Sequence, residues 1–474
     1  MNWPGIDGIV QSTLWAVVLV VIATGLLQNA FAILQLVFAM RELIQNKPER
    51  RLGLLWRRYA DLSPPISLLV PAYNEEKTIV DSLRSMLALN YPNFEVIAIN
   101  DGSKDRTLDE MINVFGLEPV LRPYEEAVKH AAIRGLYASP RYPKLLVIDK
   151  DNGGKADALN AGINLSRAPI FCAVDADSIL ESDALLRAVR PFIEEPTRTV
   201  AVGGTIRIAN GCRIANGRVM DVGLPRNWLA LFQTVEYLRA FLMARMAWSR
   251  LKALTIISGA FGLFRRQIAV AVGGYSHDTV GEDMELVIKI HRYMRERGED
   301  YAVTFIPEPV CWTEAPESLR VLGRQRSRWQ RGALESFFRH ADMLFRRRYG
   351  RIGSLGLGHM LVADVLSPLA EVLGYILVPC LWLAGLLSID YLLAFLALTF
   401  IYGIFVSVGS LILEEIELQR FPRAADLLIL TFMAVLENFG YRQLSNFWRL
   451  RGYWQFLRGK QGWGTMTRVG FRSA

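Results

Sequence analysis

The feature that most limits what this chain can become is the distribution of its apolar residues. Residues 13–40 carry no charge at all, and a second apolar region runs from about 355 to 440. A stretch of that length crosses a bilayer with some tilt, because the hydrocarbon core needs about 20 residues of helix. It is too long for a signal-peptide core, and no basic region precedes it. Arg41, Lys47, Arg50, Arg51, Arg57 and Arg58 follow it, so the positive-inside rule sets the N-terminus outside and residue 41 onward in the cytoplasm. Further on, 359–388 and 391–413 are spanning candidates, whereas 424–440 is short and contains Asp426 and Glu437. Glu414, Glu415, Glu417, Arg420 and Arg423 make a polar break before it. If the three longer stretches all cross, a full crossing by 424–440 would put the basic, Trp-rich tail (Arg442 to Trp463) outside, against the same rule. A re-entrant or in-plane course for 424–440 removes the conflict. These patterns predict a multi-pass membrane protein.

Composition narrows the partners. Hydrophobic residues make up 52% of the chain and the net charge is +8, which suits an anionic substrate or an anionic lipid surface. Zinc-finger spacing, an RNP motif and a helix-turn-helix pattern are all missing, so nucleic acid is not expected as a partner. The four cysteines (Cys172, Cys212, Cys311, Cys380) form no CxxC pair, which fits a reducing compartment.

From Pro65 the pattern alternates between strands and helices. Strands are expected at Ile66–Val70, Phe94–Ile99, Leu145–Ile148 and Ile170–Val174, with helices over Glu75–Leu89, Gly154–Ser166 and 283–297. Such alternation predicts an α/β fold with a mainly parallel sheet covered on both faces, and ligands bind beyond the carboxyl ends of its strands. Asn100-Asp101-Gly102-Ser103, Asp149 and Asp175-Ala176-Asp177 all sit at such ends, so they should converge on one edge. Residues 117–143 break the rhythm as an insertion. Residues 225–250 and 318–348 interleave arginines with aromatics and are expected to lie in the membrane interface.

The acidic ends have a common chemistry. Asp175 and Asp177, two apart on an extended segment, can both reach one Mg²⁺ or Mn²⁺, which prefers oxygen ligands and bridges phosphates. Asp101 suits a nucleobase N–H, Tyr73 suits stacking on a base, and Lys155 suits a phosphate, although the Walker spacing is absent. Glu282-Asp283 offers a general base for an acceptor hydroxyl. Gln325-Arg326-Ser327-Arg328-Trp329 offers guanidinium groups for phosphate and an indole for a sugar face.

Together, Asp101, Asp149, Asp175-x-Asp177, Glu282-Asp283 and Gln325-x-x-Arg328-Trp329 form an ordered series. It resembles the D, D, DxD, ED and QxxRW series of the processive, membrane-integrated family 2 glycosyltransferases: cellulose, hyaluronan, chitin and poly-N-acetylglucosamine synthases. The resemblance covers about Pro65 to Arg348. It implies a GT-A type domain over 61–317, between an N-terminal span and linker (1–60), an interfacial region (318–350) and a C-terminal membrane region (351–474). It further implies that Ala72, Tyr73, Glu75 and Asp101 bind uridine and that Asp175 and Asp177 hold the metal and UDP. Asp283, beside Glu282, would be the catalytic base, Arg328 would hold the pyrophosphate, and Trp329 with Gln325 would meet the acceptor sugar. Ser258, Gly259 and Phe261 fall where the family has its acceptor-binding finger, but depart from the cellulose-synthase form. The expected activity is polymerisation of UDP-N-acetylglucosamine or UDP-glucose into a β-linked extracellular polysaccharide, at the inner membrane of a bacterium. Transfer of one sugar to a lipid acceptor is the alternative. Three or four spans are few for an export channel, which an accessory subunit or a second copy would complete.

Overall fold

The computed structural model describes residues 8–46, 52–215, 217–417 and 423–460. Lys47, Arg50, Arg51, Arg420 and Trp463 lie outside the described residues. The strands are β1 (Ile66–Ala72), β2 (Phe94–Asp101), β3 (Glu118–Pro119), β4 (Ile133–Ala138), β5 (Leu145–Lys150), β6 (Ile170–Ala173), β7 (Ile179–Leu180), β8 (Thr199–Ile208), β9 (Arg213–Ala215), β10 (Arg218–Asp221), β11 (Gly262–Arg265) and β12 (Ala302–Thr313). Ten of them make one sheet in the order β3-β4-β5-β2-β1-β6-β11-β8-β12-β7, and β9 and β10 form a separate hairpin. The pairs β5–β2, β2–β1, β1–β6 and β8–β12 are parallel, whereas β4, β11 and β7 run against their neighbours. β5, β6 and β8 are buried at every position, so both faces are covered, and this is why their sequences show no regular polar alternation. Gly162 allows one covering helix, Lys155–Leu165, to lie close, since a Cβ there would stand 3.1 Å from Leu69.

The sheet delivers its acidic ends to one edge. β1, β2, β5 and β6 all finish there. β11 runs the other way, so the segment before it, Ser258–Phe261, begins at the same edge. β12 finishes there too and leads into the helix Leu319–Arg339. The insertion 117–143 is resolved into β3, β4 and an extended strap between them.

Among the described residues, three helices are long and apolar enough to cross a membrane: Ser12–Gln45, Ile352–Leu383 and Ile389–Glu415. The second starts earlier than the hydropathy pattern predicts. Ala424–Leu436 and Tyr441–Leu457 meet at a 59° bend, a broken span or a re-entrant loop. The segments expected in the interface are largely packed into protein. Trp228–Tyr237 continues through a π-helical stretch, Leu238–Arg245, and buries Leu229, Phe232, Leu238 and Phe241. Leu319–Arg339 lies along Tyr441–Leu457, where Gly323 meets the Trp448 indole and Gly452 meets the Ser327 carbonyl. Ion pairs Arg207–Glu414, Arg239–Glu437 and Arg250–Glu42 tie the sheet domain to the apolar helices.

His291, on the helix Glu282–Arg297, is buried between the Leu254 carbonyl (2.9 Å) and the Tyr301 hydroxyl (2.7 Å). Burial pushes its pKa down to about 4, against the ordinary 6.5. The unfolded chain therefore takes up this proton before the folded one does. Stability is complete above about pH 6.5 and falls as pH drops towards 4, by roughly 3 kcal/mol from this group. Thermal unfolding followed between pH 7 and 4 should show this slope, and His291→Gln should flatten it.

Candidate active site

The acidic edge is assembled around a cation. Lys155 opens its helix just after Gly153-Gly154, and its Nζ lies 2.5 Å from Asp175 Oδ1 and 3.7 Å from Glu282 Oε1. Burial opposes its charge, but the Asp175 and Glu282 carboxylates outweigh that and raise its pKa above the ordinary lysine value. Glu282 is only 3% exposed, and burial pushes it up to about 8, with Lys155 acting the other way. Its neighbour Asp283 faces the opening, with Oδ2 accepting from Gly259 N–H (3.0 Å) and Oδ1 from Met284 N–H (2.8 Å). A Cβ on Gly259 would stand 2.7 Å from Lys155 Nζ, so a side chain there displaces that ammonium.

Asp101 supports the Asn152–Lys155 turn. Its carboxylate accepts from Lys150 Nζ (2.6 Å), Gly153 N–H (3.0 Å), Gly154 N–H (2.8 Å) and the Asn152 amide (3.1 Å). Four donors fill a carboxylate's lone-pair positions. Asp101 therefore shapes the wall that a base would meet, and the direct base contact expected of it is already taken by this turn. The neighbouring loop is stitched to it. Asn74 N–H donates to Ser103 Oγ (3.0 Å), Lys104 N–H donates to Asn74 Oδ1 (2.8 Å), and Glu75 N–H donates to Thr107 Oγ1 (2.8 Å). Ala72 and Glu75 are buried, and Tyr73 stands half out at the rim.

The helix Leu319–Arg339 sets its Gln325, Arg328 and Trp329 on one side at spacings of three and four. All three line the same cavity as Asp175, Asp177 and Asp283. Arg326, on the same wall, is paired with Glu236 and stands 4.4 Å from the centre of the Trp329 ring, where it holds the indole. This helix meets the base loop backbone to backbone, since a Cβ on Gly332 would stand 2.8 Å from Gly281 Cα.

The cavity, about 2240 Å³, does not end at the sheet. It continues among the apolar helices, where its wall includes Gln28, Gln35, Glu371, Tyr375, Tyr402, Arg442 and Asn446. Glu371 is the centre of that wall, reached by the Ser367 hydroxyl (2.9 Å), the Arg442 guanidinium (3.5 Å) and the Asn446 amide.

Two expected residues fall elsewhere. Phe261 is fully buried in the core and does not line the cavity, so it cannot meet an acceptor. The chain turns after Gly259, with Phe261 N–H donating to the Ser258 carbonyl, and enters β11 with Phe261 pointing inward. Ser258 and Gly259 stay on the wall. Asp149 is also off the wall, binding Asn100 (2.7 Å) and Arg134 (2.6 Å). Sequence reasoning missed Lys150, fully buried beside Asp101, and the polar membrane residues. An intramembrane Glu371 was the available signal, because ionisable groups there are costly.

Comparison with known proteins matches this geometry. Residues 67–271 fit the model of glycosyl transferase family 2, and residues 170–407 fit that of glycosyl transferase family group 2. The chain belongs to the family 2 glycosyltransferases. Among curated members, the poly-beta-1,6-N-acetyl-D-glucosamine synthase of Staphylococcus epidermidis is 31% identical over 296 residues, 62% of this chain and 61% of that protein. The enzyme of that name from Staphylococcus aureus strain COL is 31% identical over 58% of this chain and 56% of that one. The matches thus span about three fifths of these relatives' length. A mannosyltransferase from Pyrobaculum calidifontis, solved with GDP-Man and Mn²⁺, shares the fold over 94% of this chain and 100% of its own, with a TM-score of 0.57 at 18% identity.

In this family 2 glycosyltransferase, Gly332→Ala has to move backbone, not a flexible side chain. It should cost about 1–3 kcal/mol of unfolding free energy. Gly53→Ala, in open space within a helix, should be neutral or slightly stabilising. Thermal unfolding of the two variants side by side checks the difference.

Proposed function

We propose that this chain is a membrane-bound inverting glycosyltransferase that polymerises a UDP-sugar into a β-linked polysaccharide and passes the product through its own membrane region. The observation that carries this reading is the single cavity running from Lys155 and Asp283, past Trp329, to the polar wall around Glu371. Aromatic faces stack on the C–H faces of sugars, and amides and carboxylates bind their hydroxyls, so that wall suits a glycan better than a lipid tail. The likeness to poly-N-acetylglucosamine synthases favours UDP-N-acetylglucosamine over UDP-glucose as donor. The sheet domain then faces the cytoplasm, where UDP-sugars are made, in keeping with the arginines that follow the first span.

Asp175 and Asp177 fit a divalent cation such as Mg²⁺ or Mn²⁺. They are hard oxygen donors, and no cluster of three or more His, Cys, Asp or Glu that could hold a metal occurs among the described residues. The diphosphate and water would complete the coordination, as these ions accept. When bound, the ion supplies charge neutralisation for the departing diphosphate. Lys155 and Arg328 add positive charge on the same side. Tyr73, Glu75 and the Asp101-braced turn surround the uridine. Asp283 removes the proton from the acceptor hydroxyl. That oxygen bonds to the anomeric carbon, the bond from carbon to the diphosphate oxygen breaks, and its electron pair leaves with UDP. A single displacement on an α-linked donor inverts to a β-linkage. Glu282, whose carboxyl burial pushes up and which lies 3.7 Å from Lys155, serves Lys155 and leaves the role of base to Asp283.

The test is UDP release by protein in lipid nanodiscs, with each UDP-sugar and either metal, and with the product sized. A long product from one donor is expected, and chelation of the metal should stop it. Asp283→Asn should lower turnover by about 10²–10⁴-fold while UDP still binds. A lipid carrying one sugar would overturn the polymerase reading, and no turnover with any donor would overturn the transferase reading.

A further inference from the structure

One face of the helix Lys155–Leu165 is polar and yet buried. Asp157, Asn160 and Asn164 follow at spacings of three and four, and are 4, 1 and 4% exposed. Buried polar side chains have to be fully partnered, so this face must be gripping something. Asn164 grips the strap before β4, accepting from Val128 N–H (3.1 Å) and donating to its carbonyl (2.7 Å). Asp157 takes Ala131 N–H on the same strap (2.9 Å).

Asn160 grips a different segment. Its Oδ1 accepts from Tyr275 N–H (2.8 Å), and its Nδ2 donates to the carbonyls of Tyr275 (3.0 Å) and Lys129 (3.2 Å). These backbone partners fix which way the amide points. Nδ2 shares its two hydrogens among these carbonyls and His277 Nε2, 2.9 Å away, and since an amide nitrogen cannot accept, that ring nitrogen is the acceptor. The ring proton then sits on Nδ1, which lies 3.5 Å from Asp157 Oδ2. Gly274 completes the fit, with φ +69° and a position where a Cβ would stand 2.4 Å from Asn160 Oδ1.

The gripped segment, 274–281, leads directly into Glu282 and Asp283. The same helix begins with Lys155, which touches Asp175 and Glu282. Its first turn is pinned by Lys150, whose three N–H bonds go to Asp101 (2.6 Å), Asp157 (2.5 Å) and the Asp151 carbonyl (2.5 Å). One rigid element therefore carries the donor-side cation at its start and the clamp on the base loop near its middle.

We infer that Asn160 is a positioning residue: through Tyr275 and His277 it fixes the loop that presents Asp283 against the donor side of the cavity. This rests on the transferase reading above. Loss of the clamp lets the base drift while the nucleotide wall, built on Asp101, stays as it is.

The test uses the full chain in lipid nanodiscs and three readouts: hydrogen exchange of the amides in 273–281, UDP affinity, and UDP release from the sugar nucleotide. Asn160→Ala should speed exchange in that loop and lower kcat by about tenfold or more, since misplacement of a reacting group by an ångström is that costly. Donor KM and UDP affinity should change by less than about threefold. UDP affinity falling in step with kcat, or exchange rising across the whole domain, would make Asn160 merely structural and overturn the proposal. If Asn160→Ala does not fold, the exposed His277 carries the same test. His277→Leu should loosen the loop, and His277→Gln, whose amide can donate to Asp157 and accept from Asn160, should restore it. Equal behaviour of Leu and Gln overturns the link. Wild-type protein that turns over no sugar nucleotide overturns the transferase reading, and loop exchange then decides the clamp by itself.

Discussion

Four carboxylates, Asp175, Asp177, Glu282 and Asp283, line one cavity, and that arrangement depends on Lys155. Like charges at such an edge repel, and burial penalises each of them. A lysine placed between Asp175 and Glu282 offsets part of the repulsion and joins the end of β6 to the start of the helix Glu282–Arg297. Its position follows from the Asn152–Lys155 turn, which Asp101 holds through two backbone amides and which Lys150 anchors from below. The donor side and the base side are therefore joined through Lys155. They are two ends of one hydrogen-bonded block.

The third part of the site, Gln325 to Trp329, reaches that block by close backbone contact. Gly281 against Gly332 sets the depth of the helix Leu319–Arg339, and Gly323 and Gly452 set how closely the helix Tyr441–Leu457 lies upon it. Absent side chains fix distances here that no attractive pair could fix as tightly. The same helix carries Arg326, whose pairing with Glu236 binds it to the helix Trp228–Tyr237, which leads into the π-helical stretch. The membrane part and the sheet part share this wall, and the cavity passes through it without interruption.

Much of this was legible in advance. Unbroken apolar strands ending in aspartates announce a parallel sheet with a ligand edge, because strands buried on both faces have no polar alternation to hide. Asp175, Asp177, Lys155, Asp283, Arg328 and Trp329 all reach one cavity, as their places at strand ends and on one helix side require. Phe261 was misassigned because sequence order cannot say where a turn ends and the inward side of a strand begins. Asp101 was given to a ligand because its four donors come from residues about fifty positions away. The packing of 225–250 and 318–348 was illegible for a similar reason: arginines among aromatics suit a headgroup layer and a packed helix pair equally well.

Composition and periodicity alone determined that the chain enters a membrane, that it folds as an α/β sheet and that its acidic strand ends share an edge. These follow from local hydrophobicity and from the two-residue and 3.6-residue repeats, which each segment carries by itself. Tertiary structure decided which carboxylates are filled and which face the opening, that Lys150 and Asn160 hold the site from behind, and that the cavity continues to Glu371. Those facts depend on contacts between residues distant in the chain, and a buried polar atom's partner is set by packing rather than by its neighbours in sequence.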